Sequence, residues 1–385
     1  MVPWQRLSLP LLLLLLSPLL LLPWPSSAIC ILDEEGDNCF CNFSTPEPNW
    51  NSLQMCLSSV EVEIHGGGHN LDIFLPKGGL ADPRQAADLL RSLRLKRLKL
   101  KDAQVPAPLL YQLLQALTYT RTQELSLEDL GVSHPPLQPR SPSDHALALK
   151  ALKLNRVSPA GEGDLMAAIL TWLKPGLKTL SLTDSGLSSV PCSNLGTFKE
   201  LSSLDLSDNP AIGESGLTAA LCLKEFQELR DLALRNTSLQ SLGGVCGALE
   251  ARGVKVQRLD ISYNELRDTP STQCTWPPTL TSLNLSHAKL KCVPKSLPQR
   301  LQQLDLSHNL LTKQPTLDQV TELVLEGNPF TQSSALARSR REQAPEECAE
   351  SVPSRGSRPF VGSPLAFQVF GTAAFVLLCR VRRFA

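Results

Sequence analysis

Apolar and polar positions follow one recurring pattern along most of this chain, L-x-x-L-x-L-x-x-N-x-L. It is sharpest at Leu201-Ser-Ser-Leu204-Asp-Leu206-Ser-Asp-Asn209 and at Leu301-Gln-Gln-Leu304-Asp-Leu306-Ser-His-Asn309. It recurs from Val256 to Leu266 with Leu259, Ile261 and Asn264, and from Val320 to Phe330 with Leu323, Leu325 and Asn328. Looser copies centre on Leu98, Leu125, Leu152, Leu180, Leu232 and Leu283, and a first strand is expected at Val60 to Ile64. From Leu98 on, the central leucines are spaced 27, 27, 28, 24, 28, 27, 24, 21 and 19 residues apart. A period of that length marks a stacked-repeat architecture.

Each copy predicts one short strand. Side chains alternate along a strand, so the paired leucines enter the core and the residue between them faces solvent. The Asn after the strand is placed to bond backbone groups that burial would leave unpaired. The predicted fold is α/β: a leucine-rich repeat solenoid, a horseshoe of about 11 repeats with a parallel sheet on its concave side and a disulfide-bonded N-terminal cap. The longer copies have room for a convex helix; the last two are too short for much helix.

The two ends read differently. Arg6, the apolar run Leu11 to Leu22 and the small residues Ser26-Ser27-Ala28 predict a secretory signal peptide cut after Ala28. Ser351 to Arg358 is small and polar, and Phe360 to Leu378 is apolar, the order of a GPI-attachment signal with Ser354 as the attachment residue. A transmembrane helix stopped by Arg380, Arg382 and Arg383 is the competing reading; Gly362, Pro364, Gln368 and Gly371 weigh against it. The predicted organisation is signal peptide 1–28, cysteine cap 29–59, solenoid 60–333, linker 334–354 and GPI propeptide 355–385. The whole chain has 37 basic and 37 acidic residues, but both discarded ends remove only arginines, leaving 31 against 37. A mature charge near minus six argues against a dedicated nucleic-acid binder.

Eleven cysteines indicate an oxidising compartment. Cys30, Cys39, Cys41 and Cys56 precede the first expected strand and predict two cap bridges, with three pairings open. Cys246 with Cys274 and Cys192 with Cys222 lie 28 and 30 residues apart, one repeat length, which predicts staples between neighbouring convex segments. Cys379 leaves with the tail, and Cys292 and Cys348 remain. Sequons stand at Asn42, Asn236 and Asn284, the last at an outward strand position where a glycan obstructs the concave face. His65-Gly66-Gly67-Gly68 has the look of an oxyanion loop, but no Gly-x-Ser-x-Gly elbow accompanies it, since Gly213-Glu-Ser215-Gly216-Leu217 fails at its last position. His65 and His69 lack a third ligand. The sequence predicts no catalytic residue, no metal site and no cofactor.

Between Leu57 and Leu114 the chain carries more apolar residues than its strands need, namely Phe74, Leu75, Leu89, Leu90, Leu93, Leu109, Leu110, Leu113 and Leu114, beside the basic run Arg91, Arg94, Lys96, Arg97, Lys99 and Lys101. Alternation turns Arg97 and Lys99 outward at the edge of the concave sheet. An apolar opening next to positive charge suits an acylated, phosphorylated amphiphile: each methylene taken from water contributes about 0.8 kcal/mol, and the cations orient the head group.

Several non-consensus segments resemble the monocyte differentiation antigen family, leucine-rich co-receptors for bacterial lipopolysaccharide. They are Cys39-Phe-Cys41-Asn-Phe-Ser44, Val60-Glu-Val-Glu-Ile-His65, Ala81-Asp-Pro-Arg-Gln85, Leu125-Ser-Leu-Glu-Asp-Leu130, Trp172-Leu-Lys-Pro-Gly-Leu177 and Leu232-Ala-Leu-Arg-Asn-Thr237. The resemblance runs from about Cys30 to the tail. It implies a GPI-anchored or shed receptor on the cell surface that takes lipopolysaccharide and other acylated microbial ligands from a serum transfer protein. Delivery would be to a Toll-like receptor complex with its lipid-binding adaptor; a homodimer stays open. It implies bridges Cys30–Cys41, Cys39–Cys56, Cys192–Cys222 and Cys246–Cys274. It also implies a lipid pocket lined by Leu57, Phe74 and Leu93, with Ala86 where the family has an aromatic residue, and a rim at Asp82 and Arg84. The alternative is a matrix or adhesion protein that binds partners through its concave face.

Overall fold

The computed structural model describes residues 30–45, 49–67, 87–133, 146–159, 165–190, 192–195, 197–222, 226–266 and 274–332. Both processed ends, the linker, Ser354 and residues 68–86 lie outside them.

One 14-stranded sheet runs the length of this part of the chain. Its strands are β1 (Cys30–Leu32), β2 (Asn38–Phe43), β3 (Glu61–Gly66), β4 (Arg97–Pro106), β5 (Glu124–Ser133), β6 (Ala151–Asn155) and the short β7 (Ser158–Pro159), which pairs with β5 off the main path. There follow β8 (Thr179–Thr183), β9 (Ser203–Asp205), β10 (Asp231–Ala233), β11 (Arg258–Asp260), β12 (Ser282–Asn284), β13 (Gln303–Asp305) and β14 (Glu322–Val324). All neighbours pair in parallel except β1 with β2. The ten central leucines meet in one line: Leu98, Leu125, Leu152, Leu180, Leu204, Leu232, Leu259, Leu283, Leu304 and Leu323 are successive register partners. All but Leu323 are buried.

The first strand is not at Val60. β1 and β2 precede it, and β2 pairs in parallel with β3, so the cap continues the solenoid sheet. Cys39, Cys41 and Phe43 alternate inward like repeat leucines, and the bridges hold them there: Cys30–Cys41 joins register partners on β1 and β2, and Cys39–Cys56 ties β2 to a 3-10 helix at Trp50–Ser58. Phe43 packs on Trp50 with ring centres 4.3 Å apart, closing the open end. The sulfurs of Cys30, Cys41 and Cys56 cluster, but each is spent in a bridge and offers no thiolate to a metal.

Helices occupy the long coils at Ala107–Leu117, Leu165–Leu170, Gly213–Ala220 and Leu242–Arg252, as the spacing predicts. The last is well terminated. Ser241 accepts from the Gly244 amide at 2.9 Å, and Gly253, at φ +69°, lets the chain turn left-handed while its N–H bonds back to Leu249 and Glu250. Cys192–Cys222 and Cys246–Cys274 link neighbouring convex segments. Cys292 is also disulfide-bonded; Cys348 lies outside the described residues.

Buried asparagines join the coils. Asn309 donates through Nδ2 to the carbonyls of Leu285, Leu306 and Ser307, and its Oδ1 accepts from the amides of Ala288 and Leu290 at 2.9 and 3.0 Å. Asn209 and Asn264 repeat the arrangement. In the coil of β10, Thr237 stands where the Asn would be and donates to the Leu234 carbonyl.

Candidate functional site

Apolar exposure concentrates at the N-terminal end. Ile31 on β1, Phe40 on β2, Met55 and Leu57 on the 3-10 helix and Leu89 on the helix Ala87–Ser92 are exposed, from 39% for Phe40 to 64% for Leu89. These are five of the eight large hydrophobic residues exposed among the described residues, so the end is apolar beyond what its core needs. Leu57 points largely to solvent and Leu93 is half-buried. Phe74, Asp82, Arg84 and Ala86 lie outside the described residues, so the structure brings together no complete set of the expected lining.

The basic run beside this end is largely compensated. Arg97 Nε donates to Glu61 Oε2 at 2.7 Å, Arg94 reaches Asp37 at 3.0 Å, and Arg91 reaches Asp88 at 3.2 Å. Lys99 Nζ sits between Glu128 Oε2 at 3.2 Å and Glu63 Oε1 at 3.5 Å, and Glu63 also takes His65 Nε2 at 2.5 Å. Burial opposes charge on Lys99 more than any other single influence, but Glu128 and Glu63 together outweigh it and hold the ammonium above its ordinary range. Burial likewise pushes the Glu63 carboxyl up, and His65 and Lys99 override it to bring it below the usual value. Glu61 and Glu63 on β3 are the register partners of Arg97 and Lys99, and Glu128 comes from neighbouring β5, which is why these cations look uncompensated along the chain. Lys96 and Lys101 have no ion pair among the described residues.

Farther along, the concave face holds an open cavity of about 340 Å³ between Asp205, Asp231, Arg258, Asp260, Ser282 and Asn284, floored by Ala233. Arg258 bridges to Asp231 at 2.6 Å. Asn284, the sequon residue, lines this cavity; Asn42 is exposed at the end of β2, and Asn236 donates to Asp208 at 3.0 Å. The cavity has no signature in the repeat motif, since it depends on the small Ala233 falling between aspartates of adjacent coils.

Four residues after each central leucine the backbone is left-handed: Asp102, Asp129, Arg156, Asp184, Asp208, Asn236, Tyr263, His287, His308 and Gly327. This edge is acidic at first, with Arg156 bridging Asp129 and Asp184 and holding the Asp129 carboxyl below its ordinary range chiefly through their hydrogen bond. It then becomes a stack: Arg235 lies 4.2 Å over the Tyr263 ring, Tyr263 stacks on His287 at 4.2 Å, and His287 on His308 at 4.5 Å. Gly327 ends it, because a Cβ there would lie 2.4 Å from His308 Nδ1.

Among the described residues no helix is long and apolar enough to cross a membrane. No protein-family model matches the chain. It is 47% identical over 335 residues to monocyte differentiation antigen CD14 of Bos taurus, covering 85% of this chain and 88% of that protein. It is 48% identical over 328 residues to the Homo sapiens protein of the same name, covering 83% and 87%. Toll-like receptor 2 of Equus caballus matches at 35% over 153 residues, 40% of this chain and 19% of that receptor.

Proposed function

We propose, because this chain belongs to the monocyte differentiation antigen CD14 family and is on that ground an innate-immune leucine-rich repeat receptor, that its N-terminal end takes up the acyl chains of bacterial lipopolysaccharide and passes the lipid to a Toll-like receptor complex. The exposed apolar group Ile31, Met55, Leu57 and Leu89 carries this reading. Ten methylenes moved from water onto such a surface contribute on the order of 8 kcal/mol. The rim cations contribute less, because exposed and already paired charges are worth roughly 0–1 kcal/mol. Lipid uptake is therefore mainly hydrophobic, with Arg97 and Lys99 orienting the phosphates by exchanging Glu61, Glu63 and Glu128 for ligand. A serum transfer protein supplies the lipid, and a GPI anchor near Ser354 holds the receptor at the cell surface, from which a soluble form is shed. No catalysis is involved.

Titration with fluorescent lipid A tests the site. Leu57→Asp and Leu93→Asp each place a carboxylate against hydrocarbon and weaken binding by tenfold or more, since an uncompensated polar group costs several kcal/mol there. Leu57 is exposed, so its substitution leaves the fold intact. Asp305→Lys, far along the concave face, leaves lipid A binding unchanged. The reverse outcome transfers the site to the concave cavity and favours the adhesion reading.

A further inference from the structure

The edge where the strands begin has its own charge pattern. Two residues before each central leucine, successive backbones bond in an unbroken column: Lys96 to Val60, Gln123 to Lys96, Lys150 to Gln123, Lys178 to Lys150, Ser202 to Lys178 and Arg230 to Ser202, at 2.7–2.9 Å. Arg121, Lys174 and Lys199 enter from the loops that lead into this column, and all six of Lys96, Arg121, Lys150, Lys174, Lys178 and Lys199 are exposed. None of the six has an ion pair among the described residues. Of the carboxylates in these segments among the described residues, Glu124 is held by Lys153 at 2.6 Å and Glu228 by Arg230 at 3.6 Å, which leaves Glu200 against six cations. The opposite edge presents Asp102, Asp129, Asp184 and Asp208 around the single cation Arg156, which bridges Asp129 and Asp184 and leaves this stretch net acidic.

We infer that this basic edge docks a linear sulfated polysaccharide. A rigid row suits a linear polyanion: from Lys96 to Ser202 it spans about 19 Å at ~4.8 Å per strand, and the acidic edge repels the same chain from the other side. Five of the six cations are lysines, compact point charges that answer to charge density and do not offer the planar fork of arginine. Single-stranded nucleic acid fits less well, because its binders interleave cations with aromatic faces for bases to stack on. Here the exposed Tyr111 is turned edge-on to Trp172, 5.0 Å away at 83°. None of the sequons Asn42, Asn236 and Asn284 falls on this column, so glycans leave it open. The column starts at Lys96 beside the apolar end, but Lys150, Lys178 and Lys199 belong to later coils away from it.

The test uses protein purified from mammalian cells expressing the full chain, with a heparin dodecasaccharide as probe at physiological ionic strength. The parent binds it and not its desulfated counterpart. The triple variant Lys150→Gln, Lys178→Gln, Lys199→Gln binds more than tenfold more weakly, keeps its melting temperature and its lipid A affinity, and flattens the slope of log K against log salt by about 2, at roughly 0.7 per lost contact. Asp184→Asn does not weaken heparin binding. Undiminished heparin binding by the triple variant overturns the inference. So does equal or tighter binding of the parent to a thymidine oligonucleotide or to phosphatidylserine-containing vesicles. A lipid A affinity that falls in step with heparin affinity also overturns it, by assigning both ligands to one site.

Discussion

Replacing Asn309 by Ala removes a side chain 2% exposed that makes five hydrogen bonds. The carbonyls of Leu285, Leu306 and Ser307 tolerate the loss better, since a carbonyl has a second lone pair. The amides of Ala288 and Leu290 have no such reserve, and alanine leaves both inside the coil. At about 1–3 kcal/mol for each buried unpaired group, the expected loss is roughly 2–6 kcal/mol. Asn309→Asp keeps an acceptor for both amides but buries a carboxylate whose second oxygen faces the carbonyls of Leu285, Leu306 and Ser307, so it should be no milder than alanine. The neighbouring Leu310 is 47% exposed, and Leu310→Ala should stay within about 0.5 kcal/mol of the parent. Urea titration of the secreted proteins gives the stabilities, and hydrogen exchange shows whether protection is lost first at the amides of Ala288 and Leu290. Because repeats couple mainly to their neighbours, the loss should stay local to the coils of β12 and β13. An Asn309→Ala protein no less stable than Leu310→Ala would falsify the account.

Three further outcomes are expected. Replacing Cys246 and Cys274 together by Ser lowers stability by about 2–4 kcal/mol or reduces secretion, and unchanged stability would show that this staple is dispensable. The His287 imidazole is held below its ordinary 6.5 first by burial and then by His308 and Arg235, with Asp305 opposing, so folding favours the neutral ring. Its contribution is present above 6.5 and lost as pH falls through the lowered value; melting curves between about pH 7.5 and 5 should therefore show a smaller acid loss for His287→Phe than for the parent. Phosphatidylinositol-specific phospholipase C should release the protein from cells, and full resistance with the peptide Phe360 to Ala385 retained would favour a transmembrane tail.

Most of the solenoid is legible in the sequence because one period governs it. Leucine spacing identifies the strand centres, the Asn positions identify the buried turns, and one-repeat cysteine separations identify the convex staples. The cap was less legible. Asn38-Cys-Phe-Cys-Asn-Phe43 alternates like a strand, but its cysteines draw attention to bridging before pairing. Charge compensation was not legible, because Arg97 meets Glu61 and Lys99 meets Glu128 from coils 36 and 29 residues away, and only the strand register reveals those meetings. The lysine column is hidden for the same reason: its members are about 27 residues apart and share only their place relative to a leucine. Of the apolar residues expected to exceed the core's needs, Leu89 is exposed but Leu110 and Leu114 fill the core, because they face inward on the helix Ala107–Leu117. The lining around Phe74 rests on family resemblance, not on periodicity, and lies outside the described residues.

The asparagine bonds have a direction. Asn209 serves the amides of Ser185 and Leu187, Asn264 those of Thr237 and Leu239, and Asn309 those of Ala288 and Leu290, always in the coil before. The coils of β8, β10 and β12 are thus each sealed by the coil that follows, and none of the three can complete its bonds before that later segment has been made. The same asymmetry makes cleavage unequal in its effects. A cut that removes Asn209, Asn264 or Asn309 withdraws the partner of two amides in the coil before and frays it, whereas loss from the other end leaves the coils that these asparagines serve with their sealing residue.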